Sequence, residues 1–404
     1  MPLFTSILLL IVGSRLLGEL MSRLKQPPIV GEILAGIILG PSILELVSPT
    51  DHLAGIAELS VFLIVLSAGL EMEFKDVINA VRGRGWGAAA ADFFIPLAAG
   101  ILLGFVFGLD ATRSLFLGLC VSITALPVAI RILDDFGMLN TTIARYSIAM
   151  SILNDVAALL FLGVIIDMPT GTESATLFTA VSSTLKTVGK LLLFALIVFV
   201  ASRLLLWGGS QTRYIERFLE KIIGFFGREA LFGIAVLFVL LFGSMSETLG
   251  SHFVIGAFFG ALLLSRDVFG TSLFSELENT INSITSGFLA PIFFAYLGLR
   301  FSVSSMQSPF FVLAVILVSV GSKILAGYLG ARWVKMSKTE ALGVGIISNG
   351  RGIMELVVAN IAYQRGFINQ ELFSVLVLMG VFTTVITPIL FRRFVYSKVQ
   401  TQQP

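Results

Sequence analysis

Thirteen apolar stretches of helical length, separated by short polar punctuation, run through this chain near 3–22, 28–46, 53–72, 86–108, 113–133, 143–166, 186–207, 228–249, 252–265, 280–300, 309–332, 340–363 and 371–392. A bilayer core takes about 20 apolar residues per helical crossing, so each stretch is read as a membrane-spanning helix. The fold class expected is therefore an all-α polytopic membrane protein with 13 transmembrane helices. Composition agrees, because 56% of the 404 residues are hydrophobic and only 13% are charged. Soluble domains are nearer 45–50% apolar with about a quarter charged, and here too few polar side chains remain to cover a soluble surface. A net charge of +2 with no basic domain excludes a nucleic-acid binder. One cysteine (Cys120) and two histidines (His52, His252) exclude a disulfide scaffold and a Cys/His zinc site, and no cofactor is expected.

The basic residues set the orientation. Assigning loops alternately to the two sides puts nineteen Lys and Arg on one side and five on the other, with Arg15, Lys323 and Arg351 inside spans. The basic excess marks the cytoplasmic side. The N-terminus is then outside and the C-terminus inside, in the expected setting of a bacterial inner membrane. The first stretch lacks a basic n-region and a small-residue cleavage site, and Arg15 and Glu19 interrupt it, so it reads as a retained span. Four segments follow: an N-terminal membrane half over 1–207, a cytoplasmic linker over 208–227, a C-terminal membrane half over 228–392 and a short cytoplasmic tail over 393–404.

Two internal matches relate the halves. Val30-Gly31-Glu32-Ile33 in the second span is similar to Ile255-Gly256-Ala257-Phe258 in the ninth, and Gly69-Leu70 closing the third is similar to Gly298-Leu299 closing the tenth. Matched spans lie seven apart, an odd number, so two five-helix repeats would be inverted relative to each other. Inverted repeats are the architecture of many secondary transporters, which place their site where matched spans are broken by Gly, Pro or small polar residues. The fifth and twelfth spans fit. In the fifth, Ser122-Ile123-Thr124-Ala125-Leu126-Pro127 puts a proline and two hydroxyls mid-membrane, and Pro127 removes a backbone donor. In the twelfth, the run from Gly343 to Gly352, with Gly345, Gly350 and Arg351 within it, is too rich in glycine for a plain membrane helix. A proline kink and a glycine packing seam are the structural alternatives for these two spans.

Asp155, in Ser151-Ile152-Leu153-Asn154-Asp155-Val156, is the most informative residue. An ionised carboxylate mid-bilayer is costly unless it is paired, hydrated or neutralised. Proton and cation then compete for one oxygen pair, which is what an exchanger needs. The structural alternative is a protonated aspartate that joins helices beside Asn154. Lys323 is a buried cation free to snorkel, to pair with a carboxylate or to satisfy carbonyls at the broken spans. Arg351 and Glu355, four apart, are placed to pair along one helical face. Glu32, Asp92 and Arg15 read as structural or interfacial charges.

Together these segments resemble the second monovalent cation:proton antiporter family, which includes bacterial sodium/proton and potassium-efflux exchangers and plant cation/proton exchangers. The resemblance is carried by Pro28-Ile29-Val30-Gly31-Glu32 through Gly40-Pro41-Ser42, by Ser122 to Pro127 with Asn154-Asp155 about thirty residues on, by His252 to Phe258, by Pro291-Ile292-Phe293-Phe294 and by Gly352-Ile353-Met354-Glu355. It implies a dimerisation panel, hence a homodimer, and a moving core whose two broken helices cross beside the aspartate. Transport would be alternating access. Asp155 would be the shared proton and cation site with Thr124 and Asn154 nearby, Lys323 would be the family's intramembrane lysine, and no metal is implied beyond the transported cation. Asn154 departs from the Asp-Asp form of the motif, a departure that in the family goes with electroneutral exchange. Lys323 would then lack an acidic neighbour at 154. The family's large C-terminal regulatory domain is also missing, so any regulation is expected from a separate cytoplasmic subunit.

The reading that follows is an electroneutral K⁺ or Na⁺ for H⁺ antiporter in a lipid membrane. A cation channel using the same carboxylate is the alternative, although it needs a continuous pore lined by rings of carbonyls or charges. An intramembrane hydrolase needs a nucleophile–base pair, and neither His52 nor His252 has a nucleophile in a site-like setting.

Overall fold

A computed structural model describes residues 1–72, 85–166, 177–206, 221, 224–249 and 252–397. The described residues are helical, with no strand among them. Among the described residues, ten helical segments, some of them interrupted, are long and apolar enough to cross a membrane, and three shorter apolar stretches lie at Pro28–Leu39, Leu192–Leu205 and Phe253–Leu263. Most of the linker expected over 208–227, the Gly250-Ser251 turn and the tail from 398 onward lie outside the described residues.

The first half begins with α1 (Leu3–Arg23), α2 (Pro28–Leu39), α3 (Asp51–Leu70) and α4 (Gly85–Val106). α2 is shorter than the apolar stretch 28–46 because Gly40 ends it in an extended conformation and Pro41 follows. The fifth apolar stretch is two helices, α5 (Ala111–Ser122) and α6 (Leu126–Asp135). Between them Ile123 and Ala125 are extended, and Pro127 sits in the first turn of α6, where a missing N–H costs nothing. α7 (Thr142–Ile166) and α8 (Leu177–Leu206) complete the half.

The second half runs through α9 (Glu229–Thr248), α10 (Phe253–Leu263), the short α11 (Arg266–Phe269) and α12 (Thr271–Ile284). A π-helical segment, Thr285–Leu289, joins α12 to α13 (Ala290–Arg300). Pro291 explains it: its ring crowds the carbonyl four residues back and it has no N–H to donate, so the ladder widens just before it. α14 (Pro309–Trp333) is continuous. The twelfth stretch is again two helices, α15 (Lys338–Ser348) and α16 (Ile353–Gln364), and α17 (Gln370–Phe391) follows.

The described helices group into two compact units. One is drawn from 1–57, 77–158 and 291–404, the other from 58–76 and 159–290. Glycines let helices in the first unit approach backbone to backbone. A Cβ added to Gly118 of α5 would lie 2.6 Å from the Leu97 carbonyl of α4, and one added to Gly345 of α15 would lie 2.4 Å from the Ile324 carbonyl of α14. The glycine seams hold α4 against α5 and α15 against α14, which brings polar side chains of four helices within reach of each other.

The glycines matched in sequence make matched contacts. Gly31 meets the backbone of α1 at Leu17, and Gly256 meets the backbone of α9 at Phe242. Gly298 of α13 meets α2 at Ile33 in the first unit, while Gly69 of α3 meets α10 at Phe258 and Ala261 in the second.

Candidate ion site at the two helix breaks

Both breaks lie in the first unit, and they touch. The Ala125 N–H donates to the Gly350 carbonyl at 3.0 Å, and the Thr124 hydroxyl donates to the Ser348 carbonyl at 2.8 Å. A Cβ on Gly352 would stand 2.7 Å from the Ala125 Cβ, so the second break passes the first at van der Waals distance. Pro127 starts the half-helix beyond one break. Gly350 and Gly352 line the other, with Gly350 against the Val128 side chain.

Arg351 fastens the two breaks together. Fully buried, its guanidinium donates to the carbonyls of Cys120, Val121 and Ile123, the last at 2.7 Å. These carbonyls belong to the last turn of α5 and the residue beyond it, groups that a helix end leaves without an intrahelical partner. The cation also sits at the negative end of the α5 dipole. The pairing expected with Glu355 is present but loose, at 3.9 Å from Nε to Oε2. Thr384 of α17 donates to the Arg351 carbonyl at 2.9 Å, and Asn349 donates to the Thr387 hydroxyl at 3.1 Å, so α17 ties down the same break.

Asn154 and Asp155 approach from α7, 0% and 3% exposed. Asn154 Nδ2 lies 3.2 Å from the Thr124 hydroxyl, which joins two of the residues singled out from sequence. The same nitrogen lies 2.7 Å from Oδ2 of Asp92 on α4. Lys323, also fully buried, donates to that oxygen at 2.9 Å and to the Asp92 backbone carbonyl at 2.9 Å. Of the roles left open for Lys323, pairing with a carboxylate is the one seen, and the acid is on α4 rather than at position 154. Asp92, read from sequence as structural or interfacial, is at the centre of the polar network. Its sequence signal was a charge inside an apolar span, the same signal that singled out Asp155.

The arrangement gathers three buried carboxylates (Asp92, Asp155, Glu355) and two buried cations (Lys323, Arg351) around two unwound backbone segments. Two acid–base pairs account for four of these charges. Several buried oxygens lack a hydrogen-bond partner, among them Asn154 Oδ1, Ser348 Oγ and Asn349 Oδ1. Fixed carbonyl ends, amide oxygens and a carboxylate are the ligands that replace the hydration shell of a monovalent cation. Such chemistry belongs to an ion-translocating membrane protein.

Comparison with known proteins names the class. The chain matches the family described as sodium/hydrogen exchanger, transmembrane, over residues 7–395. It is 26% identical over 388 residues to the Na(+)/H(+)-K(+) antiporter GerN of Bacillus cereus, spanning 95% of this chain and 94% of that one. Against the probable Na(+)/H(+) antiporter GerT of the same organism the identity is 25% over 395 residues, spanning 98% and 100%. The Arabidopsis thaliana cation/H(+) antiporter 18 is 30% identical over 408 residues, which span 94% of this chain and 47% of that protein. The solved structure of the sodium proton antiporter MjNhaP1 from Methanocaldococcus jannaschii superposes with a TM-score of 0.68 at 18% identity, covering 99% of this chain and 98% of that one, and shows the shared fold. The protein belongs to the transmembrane sodium/hydrogen exchanger family. It is an integral membrane transporter and not an enzyme.

Proposed function

We propose that the protein is an electroneutral antiporter exchanging one Na⁺ or K⁺ for one proton by alternating access, with both ions competing for Asp155. The carrying observation is the buried carboxylate of Asp155, beside Asn154, in the unit where the two breaks meet. Thr124 and Asn154 complete the binding group, while Lys323, Arg351 and Glu355 support it. The relatives named as Na(+)/H(+) and Na(+)/H(+)-K(+) antiporters support this class of substrate.

Charge counting supports the stoichiometry. Lys323 with Asp92, and Arg351 with Glu355, are pairs of zero net charge. Asn154 does not ionise, so Asp155 is the single group of the Asn154-Asp155 pair that takes up one proton or one monovalent cation. The chain is proposed to cross the membrane thirteen times in two inverted five-helix repeats, N-terminus outside, as a homodimer. The exchanged glycine contacts support the repeat: swapping the spans of one repeat for those of the other turns the Gly298–α2 contact into the Gly69–α10 contact.

The test is reconstitution in vesicles with a pH-sensitive dye, scanning Na⁺, K⁺, Li⁺ and Rb⁺. Asp155→Asn is nearly isosteric, so it should fold and lose cation-dependent proton flux. Exchange at near the parental rate in that variant would remove Asp155 from the site.

A further inference from the structure

Asp92 has no role in the cycle just described, yet it joins two other buried polar side chains of the core, Lys323 and Asn154. Its Oδ2 accepts from Lys323 Nζ at 2.9 Å and from Asn154 Nδ2 at 2.7 Å. Its backbone carbonyl accepts from Lys323 as well. Asp155 and Arg351 are the other charges in electrostatic reach of the ammonium.

An asparagine amide has a donor end and an acceptor end, and half a turn exchanges them. With Nδ2 at 2.7 Å from a carboxylate oxygen, the turned amide would set its own oxygen against that carboxylate, two acceptors with no proton between them. Thr124 reinforces the choice, because its hydroxyl proton is committed to the Ser348 carbonyl and only a lone pair is left for Asn154. Both donor contacts of the amide therefore go to Asp92 and Thr124. Oδ1 is left fully buried without a hydrogen-bond partner, on the residue next to Asp155. A buried oxygen left unsatisfied is costly unless something occupies it. A dehydrated monovalent cation is such an occupant.

We propose that Asp92 is a positioning residue for the transported cation: it fixes the Asn154 amide so that Oδ1 serves as a cation ligand, and it holds the Lys323 ammonium in a pair so that it does not compete for Asp155. This inference rests on the exchange reading above. It adds to that reading a determinant of cation affinity on α4, one that touches neither the ion nor the exchanged proton.

Two double variants isolate the positioning role, because both remove one acid and one base together and leave the net charge of the core unchanged. Asp92→Asn with Lys323→Met keeps an acceptor for the Asn154 amide, and Asp92→Leu with Lys323→Met does not. Replacing a buried ion pair by uncharged side chains is often neutral for folding, so both are expected to be recoverable. Binding is read as the Na⁺ or K⁺ concentration giving half-maximal thermal stabilisation in detergent, since a ligand of the folded state raises its stability. Exchange is read as the half-saturating Na⁺ or K⁺ concentration in dye-loaded vesicles.

The Asn/Met variant should keep half-saturation within about threefold of the parent, whereas the Leu/Met variant should be weakened about tenfold or more, the factor given by losing about 1.4 kcal/mol of ligand contact. The single variant Asp92→Asn, which strands the ammonium, should bind more weakly than the Asn/Met double variant. Equal half-saturation in the two double variants would overturn the proposal, whatever their melting temperatures, because a purely structural role changes stability and leaves cation affinity alone. If the parent itself shows no cation-dependent proton flux, the exchange reading fails, and the binding series still decides the role of Asp92.

Discussion

Replacing Arg351 removes a guanidinium that holds the end of a helix from another part of the chain. α5 ends at Ser122, and the carbonyls of its last turn have no intrahelical donor. The Ser122 hydroxyl donates to Leu119 at 2.7 Å, and Arg351 reaches Cys120, Val121 and Ile123. In Arg351→Met all three carbonyls lose that donor in a buried setting, and each buried acceptor left unsatisfied costs about 1–3 kcal/mol. Glu355 also loses its cation, and breaking one side of a buried pair costs about 3–5 kcal/mol. Both losses come from the same group and overlap, so the expected total is about 3–5 kcal/mol. Arg351→Lys keeps the charge without the planar fork and cannot reach three carbonyls from one nitrogen in the same geometry. Its expected loss is about 1–3 kcal/mol.

The assay is unfolding of the purified protein in mixed micelles by SDS titration, with thermal melting as a second measure. The order expected is parent, then Lys, then Met. Adding Glu355→Gln to Arg351→Met removes the stranded carboxylate but not the stranded carbonyls, so it should restore only part of the loss. An Arg351→Met protein that unfolds within about 0.5 kcal/mol of the parent, the range of an ordinary surface substitution, would refute the idea that this side chain fastens the two breaks.

Gly352→Ala places a Cβ 2.7 Å from the Ala125 Cβ and 3.1 Å from Val128 Cγ2, and overpacking of this kind costs about 1–3 kcal/mol. Exchange should fall with stability, and Ala125→Gly, which removes the opposing methyl, should recover both; no recovery would separate the defect from this contact. Electroneutral exchange predicts the same proton flux and the same equilibrium cation ratio with and without an imposed membrane potential, which would otherwise contribute about 2.3 kcal/mol per net charge per 100 mV. A steady transport current on a solid-supported membrane would rule out one-for-one exchange.

Residues that reveal themselves by local pattern were legible, and residues defined by distant partners were not. Pro127 and the glycine run ending at Gly352 marked the two breaks, because both act on backbone geometry within a turn of their own position. The start of α12 at Thr271 was missed, since its first turns carry Glu276, Glu278 and Asn279 and do not look like a membrane span. Arg351 and Glu355 were paired by the spacing of four that a continuous helix would impose. Arg351 instead precedes α16, outside the regular helix, and its short contacts are to carbonyls 228 to 231 residues away in sequence. Lys323 and Asp92 were each visible as a charge in an apolar span, but α4 and α14 are apolar around most of their circumference, so periodicity does not show which faces meet. Their pairing depends on a close approach of helices 231 residues apart in the chain. At Gly327 of α14, a Cβ would lie 2.7 Å from the Gly345 Cα and 3.2 Å from Oδ1 of Asp92. Any larger residue there would push the helices apart. Gly327 and Gly345 are therefore a condition for the charge network, and they act at a range that no local pattern in the sequence reports.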